Sequence, residues 1–182
     1  MTGDSLPACL RIHLIQGDCE VTRDPQVVMT TTLGSCVSAC IRDPKARIGG
    51  MNHFLLPEGD GVKGSEAIRY GAYAMELLVN ALLRLGGRRE RLQATLFGGG
   101  RLGHGLIDIG AKNAAFAEQY LEREGISYLG GSLGGSHARR IQFWPVSGRV
   151  RQMKLSRAPE GLINTRSGRP ASPAGHGNLE LF

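Results

Sequence analysis

Short runs of alternating apolar and polar positions fill most of this chain, and twice the pattern switches to a helical period. Leu10 to Gln16 and Gln26 to Thr31 read as short strands, separated by the turn-prone pairs Gly17-Asp18 and Asp24-Pro25. Cys36 to Ile41 is a third strand, bounded by Gly34-Ser35 and Asp43-Pro44. Ala46 to Leu55 is its expected hairpin partner, with Gly49-Gly50 marking a bulge or a place where another group comes close. Glu66 to Leu85 then repeats Ile68, Ala72, Met75, Val79 and Leu82 on one helical face, with Ser65 expected as its cap and Gly86-Gly87 as its end. Leu92 to Phe97 predicts a buried strand stopped by Gly98-Gly99-Gly100, and Asp108 to Gly110 leads into a second helix, Ala111 to Glu124, closed by Gly125. Three more strands follow at Ile126 to Gly131, His137 to Pro145 and Val150 to Leu155, the last two joined through Ser147-Gly148.

Two helices among roughly seven or eight strands predict an α/β sandwich of mixed, largely antiparallel sheets with outer helices, not a doubly wound fold. The expected organisation is one domain over residues 1–158, followed by a flexible C-terminal tail over 159–182. That tail is rich in Ser, Pro and Gly and ends in the apolar Leu179, Leu181 and Phe182. A chain of 182 residues is long enough to bury one sizeable core, and its 27 glycines suit a turn-dense mixed fold better than a helical bundle.

Composition changes this picture in two respects. The residues Met1 to Leu10 have neither the basic nor the apolar stretch of a secretory leader, and no run approaches the ~18 apolar residues that span a bilayer. A cytoplasmic protein without membrane insertion is expected, with Cys9, Cys19, Cys36 and Cys40 as reduced thiols. The net charge is +6, and from Arg139 to Arg169 eight basic residues face only Glu160. This segment suits a solvated face or an acidic protein partner. Nucleic acid is the less favoured partner, because neither zinc-finger spacing nor an aromatic-basic RNA-binding pattern accompanies the charge.

The candidate chemistry lies in Thr30-Thr31-Thr32-Leu33-Gly34-Ser35-Cys36, followed by Gly49-Gly50-Met51-Asn52-His53. A cysteine after a Gly-Ser turn, at the mouth of a strand, can present its sulfur to a pocket while backbone N–H groups near Gly34 and Ser35 face the carbonyl oxygen it attacks. The hairpin would bring His53 toward it as a base within about 3 to 4 Å, and the Thr30 hydroxyl would orient the second imidazole nitrogen. An arbitrary intracellular cysteine is more often an inert core residue, as Cys40 illustrates. A metal site built from Cys36, Cys40 and His53, with His104 recruited, lacks a second compact ligand pair.

The chain resembles the CheD family of chemoreceptor glutamine deamidases over Gly17 to Leu155. The resemblance rests on Thr30 through Gly34-Ser35-Cys36, His53, Phe97-Gly98-Gly99, Ile109-Gly110-Ala111-Lys112-Asn113, Gly134-Gly135 with Arg139, and Ser147-Gly148. It implies that Cys36 is the nucleophile, His53 the base and Thr30 the third member of a triad, and that no metal or organic cofactor is needed. Gly98, Gly99, Gly134 and Gly135 are then either cleft-lining residues or tight turns. The implied activity is hydrolysis of glutamine side chains on the cytoplasmic helices of methyl-accepting chemotaxis receptors, which implies possible recruitment to membrane receptor arrays. The alternative it implies is a regulatory module that binds a CheC-type phosphatase. The family commonly carries Ala in place of Gly100 and an acidic residue near Ser132.

Overall fold

The computed structural model describes residues 9–57, 63–102, 108–155 and 179–182. Two five-stranded sheets pack face to face. The first has the order β1(Leu10–His13), β3(Val27–Leu33), β8(Ala138–Trp144), β9(Arg149–Leu155), β10(Leu179–Leu181). The second runs β2(Cys19–Thr22), β5(Ile48–Asn52), β4(Val37–Asp43), β6(Gln93–Gly98), β7(Ser127–Leu133). Pairing is antiparallel except between β1 and β3 and between β6 and β7. This is the mixed, largely antiparallel sandwich that the sequence predicts.

Helices α1(Gly64–Arg84) and α2(Ile109–Arg123) both pack on the second sheet, because their apolar stripes match its outward-facing residues. Val37, Ala39 and Ile41 point into this layer and meet Met75, Leu78, Leu82, Ala117 and Leu121. Phe54 joins them, edge-on to Phe116 with ring centroids 6.1 Å apart. The opposite pleat of the same sheet faces the first sheet. Cys40, Met51 and Phe97 there pack with Val27, Met29, Leu33, Ile141 and Phe143. Each fully buried Leu or Phe in these layers contributes about 2 kcal/mol by leaving water. The two cores therefore dominate the fold and fix which way every strand residue points.

Three local expectations need correction. The α1 helix starts at Gly64 with Lys63 at its cap position and no side-chain cap bond, so Ser65 lies inside the first turn instead of capping it. Cys19–Thr22, read as part of a turn region, is a strand, paired with Asn52 to Gly49. Its partner explains Gly50, where a Cβ would stand 2.4 Å from the Glu20 carbonyl oxygen. The end of the expected tail is also a strand: Leu179, Glu180 and Leu181 pair with Met153, Gln152 and Arg151. Phe182 then sets its ring edge-on to Phe97 at 5.5 Å, and Glu180 accepts hydrogen bonds from Gln152 and Lys154. The remainder of that tail, 159–178, lies outside the described residues, as does His104.

Candidate active site

Strand parity decides which side chains meet at the end of the sandwich. Val27, Met29 and Leu33 of β3 face the second sheet, so Thr31 does as well, while Thr30 and Thr32 point the other way. The hydroxyl that reaches His53 is accordingly that of Thr31, with Oγ1 2.9 Å from His53 Nδ1. The expectation that Thr30 makes this contact is corrected: the hydroxyl of Thr30 belongs to the opposite pleat of its strand.

Hydrogen counting fixes the state of the imidazole. A threonine hydroxyl carries one hydrogen, and Thr31 donates it to the Leu14 carbonyl at 2.8 Å. Toward His53 it can therefore only accept, which places the neutral ring's hydrogen on Nδ1 and leaves Nε2 with a bare lone pair. His53 is 7% exposed, and Nε2 is buried without a hydrogen-bond partner. Burial holds the imidazole pKa down to about 4, against opposing contributions from the Leu14 backbone and Asp18. The ring is thus a neutral, unoccupied proton acceptor near pH 7. Replacing Thr31 with Val should remove the tautomer lock and lower the catalytic rate about tenfold, roughly the worth of one buried hydrogen bond, while Thr30→Val should have a smaller effect. Comparing turnover of the two variants on a glutamine substrate checks this. Equal losses would contradict the assignment.

Cys36 sits just before β4. Val37 and Phe54 exchange both backbone hydrogen bonds at 2.9 Å, and continuing that antiparallel register sets Ser38 opposite His53. Cys36 and His53 are then diagonal neighbours on one sheet face, a relation that puts residues about 7 Å apart. The two do not form the direct contact expected from the sequence. The Cys36 thiol instead meets Gln16 Oε1 at 3.8 Å. Burial pushes the thiol pKa up to about 11, while the residue's own backbone N–H pulls it the other way.

Three loops hold the cysteine. Gly34, Ser35 and Cys36 all turn their carbonyls into the protein, toward Gly100 N at 2.8 Å, Asn113 Nδ2 at 3.0 Å and Gly99 N at 2.8 Å. In a trans peptide the N–H points opposite to the preceding carbonyl, so the Ser35 and Cys36 N–H groups face away from this packing. Asn113, fully buried on α2, also accepts from Leu56 N at 2.8 Å and ties both ends of the hairpin to the helix. Gly98 adopts φ +112°, and a Cβ there would stand 2.1 Å from the Cys36 carbonyl oxygen. Gly134 N donates to Gly98 O, and Gly135 O accepts from Arg101 N. Of the six candidate cleft residues, Gly34, Ser35, Gly98 and Gly99 make contacts that shape the cysteine loop, and Gly134 and Gly135 brace that loop from outside. Among the described residues Arg139 forms no salt bridge. It is 3% exposed and donates to the Ser132, Gly134 and His137 carbonyls and to Ser132 Oγ. A hydroxyl at 132 thus stands where the family's acidic residue is expected.

Cys40 is buried, and its thiol pKa is raised further than that of Cys36. Among the described residues no group of three or more His, Cys, Asp or Glu side chains could hold a metal ion. A small cavity of about 50 Å³ borders His53, lined also by Gly17, Asn52, Tyr70 and Tyr73. A wider groove of about 430 Å³ beside α2 and β7, lined by Ala115, Glu118, Gln119 and Glu122, contains none of the predicted site residues. Sequence reasoning missed Thr31 and Gln16. The apolar parity of Val27, Met29 and Leu33 carries a signal for the first, and nothing in the sequence marks the second.

The molecule is therefore an α/β sandwich of the class that carries a thiol and a tautomer-fixed imidazole on one sheet face. A family model described as CheD chemotactic sensory transduction matches residues 55–154. Full-length relatives extend the likeness over the hairpin that holds Cys36 and His53. The protein called "Probable chemoreceptor glutamine deamidase CheD" in Caulobacter sp. (strain K31) is 57% identical, covering 98% of this chain and 96% of its own. Proteins with that same description in Caulobacter vibrioides (strain NA1000 / CB15N) and Acidiphilium cryptum (strain JF-5) are each 54% identical, covering 98% and 94% of this chain and 97% and 93% of their own. The chain belongs to the CheD family.

Proposed function

We propose that the protein hydrolyses glutamine side chains on methyl-accepting chemotaxis receptors to glutamate, releasing ammonia, with Cys36 as nucleophile and His53 as base. The observation that carries this reading is the bare, buried Nε2 of His53 on the sheet face it shares with the Cys36 thiol. The name that the relatives carry, chemoreceptor glutamine deamidase, supports the substrate class.

Both groups rest neutral, so the proton moves as the sulfur attacks. A bond forms between Sγ and the carboxamide carbon while the S–H proton passes to Nε2. The carbonyl oxygen takes negative charge, and the Ser35 and Cys36 N–H groups are the donors placed to receive it. Collapse breaks the C–N bond, and His53 returns its proton to the leaving ammonia. Water then attacks the thioester and gives a proton to Nε2, the C–S bond breaks, and the thiolate recovers that proton. Every atom in these steps comes from protein, amide or water.

The substrate is expected to be a receptor cytoplasmic helix, and a CheC-type phosphatase is proposed as a second partner. Incubating the purified protein with receptor cytoplasmic fragments should add about one mass unit at particular glutamines, the amide-to-acid difference. A wild-type protein that modifies no glutamine yet retains a CheC-type phosphatase in a pull-down would favour the regulatory alternative.

A further inference from the structure

Gln16 stands where a catalytic base would be expected to meet the thiol. Its carboxamide oxygen takes the Cys36 contact at 3.8 Å, while the lone pair at His53 Nε2 lies buried and unpaired. The two observations are complementary, since the one hydrogen on the sulfur is directed at an amide oxygen and the acceptor built for it is unused.

The turn that carries Gln16 is held to the base. Gly17 N donates to His53 O at 2.8 Å and His53 N donates to Asp18 O at 3.0 Å, so backbone bonds join the two segments in both directions. The Asp18 side chain accepts from Ile15 N at 2.8 Å, and Asp18 N donates to Ile15 O at 3.0 Å, closing the turn around Gln16. The residue before the turn, Leu14, offers the carbonyl that takes the Thr31 hydrogen and sets the imidazole tautomer. The Gln16 backbone is therefore fixed relative to His53, while its exposed side chain keeps rotamer freedom.

The occupant has the same functional group as the substrate. A glutamine carboxamide from the protein's own chain lies against a nucleophile whose proposed substrate is a glutamine carboxamide. It is held oxygen to sulfur, whereas attack needs sulfur to meet the carbonyl carbon with the oxygen turned toward N–H donors. We infer that Gln16 is a resting-state catch: an internal carboxamide bound non-productively at Cys36, which keeps the thiol off His53 until an incoming glutamine side chain displaces it. Displacement frees the S–H to turn toward Nε2, so the pair becomes reactive only as substrate arrives. This device limits wasteful thiol chemistry in the empty site, and it makes Gln16 a positioning residue with no part in the bonds that form and break.

The inference rests on the proposed deamidase reading for its purpose, but its test needs no receptor. Alkylation of Cys36 by iodoacetamide, followed on the Cys36 peptide by mass spectrometry to separate it from the exposed Cys9, reads the thiol directly. Gln16→Ala should speed this alkylation at pH 7 about threefold or more, the scale of losing one weak contact, and should move its pH dependence to lower pH. Gln16→Met keeps the bulk without the oxygen and should behave like Gln16→Ala, whereas Gln16→Glu should be slower than wild type. Because the side chain is exposed, thermal midpoints of all three should stay near that of wild type. Alkylation in Gln16→Ala at or below the wild-type rate with an unchanged pH profile overturns the proposal. So does conversion of residue 16 to glutamate in the wild-type protein on prolonged incubation, since that requires productive binding. Failure of receptor deamidation with accelerated alkylation in Gln16→Ala would count against the function and support the catch.

Discussion

Cys36→Ala is expected to lower the conversion of receptor glutamine to glutamate by at least about 10³-fold, because it removes the atom to which the acyl group is transferred. What remains is water attack helped by the backbone donors at Ser35 and Cys36, which an alanine retains. Cys36→Ser should be nearly as inactive. Its hydroxyl is a weaker acid than the thiol, and an imidazole whose pKa is held to about 4 is too weak a base to take that proton. Cys40→Ala provides the contrast. That thiol is fully buried between the sheets, so its loss should cost stability through a small cavity while leaving the rate per folded molecule within about twofold. Single-turnover mass analysis on a receptor fragment reads all three variants. Cys36→Ala with more than about a tenth of the wild-type rate would end the nucleophile assignment.

Much of this site could be read from the sequence because its main constraint is local. A hairpin from β4 to β5 with Gly49-Gly50 inside it fixes the register that sets His53 near Cys36, and both glycines are required by close backbone neighbours. What the sequence did not disclose depends on contacts between layers. Thr30, Thr31 and Thr32 are chemically identical, so side-chain type cannot choose among them. The choice follows from the pleat, and Val28 blurs it because the residue is buried although it lies on the opposite side from Val27 and Met29. The strand Cys19–Thr22 is short, with three half-buried residues and only Glu20 exposed, which leaves no strong alternation to read. Leu179–Leu181 alternates, but its three residues follow a long polar stretch, and their pairing with β9 is a tertiary event. Gln16 is the extreme case: its role depends on the turn that joins Ile15 to Asp18 and on two backbone bonds to a residue far along the chain.

Burial of the base should also appear in the pH dependence of folding, independently of any substrate. In the unfolded chain the imidazole titrates near its ordinary 6.5, and in the folded protein near 4. Between those values the unfolded state takes up a proton that the folded state refuses. Unfolding therefore becomes easier as pH falls from 6.5 toward 4. By linkage the loss is about 2.5 kcal/mol at pH 4.5 relative to pH 7.5. Asp43 acts in a lower window. Its carboxyl is held below the usual 3.8 by Ala46 N, Arg91 and Arg88 N, so its contribution is lost only at more acidic pH. The raised thiols of Cys19, Cys36 and Cys40 act at the other end, where stability falls as pH rises through 9 and the unfolded chain sheds protons first. The interval from 6.5 to about 5.5 lies above the range in which the lowered carboxyls of Asp43 and Glu180 begin to contribute, and so reads His53 without them. Urea midpoints across it should slope downward with acid in the wild type and flatten in His53→Gln, whose side chain cannot take a proton in either state. The same variant should lose at least about 10³-fold in turnover, since it removes the basic imidazole nitrogen assigned to take the thiol proton, and the amide oxygen of Gln16 is far too weak a base to replace it. An equal slope in wild type and His53→Gln would mean that the imidazole takes up its proton alike in the folded and unfolded protein, and the buried, protected lone pair assigned to Nε2 would go with it.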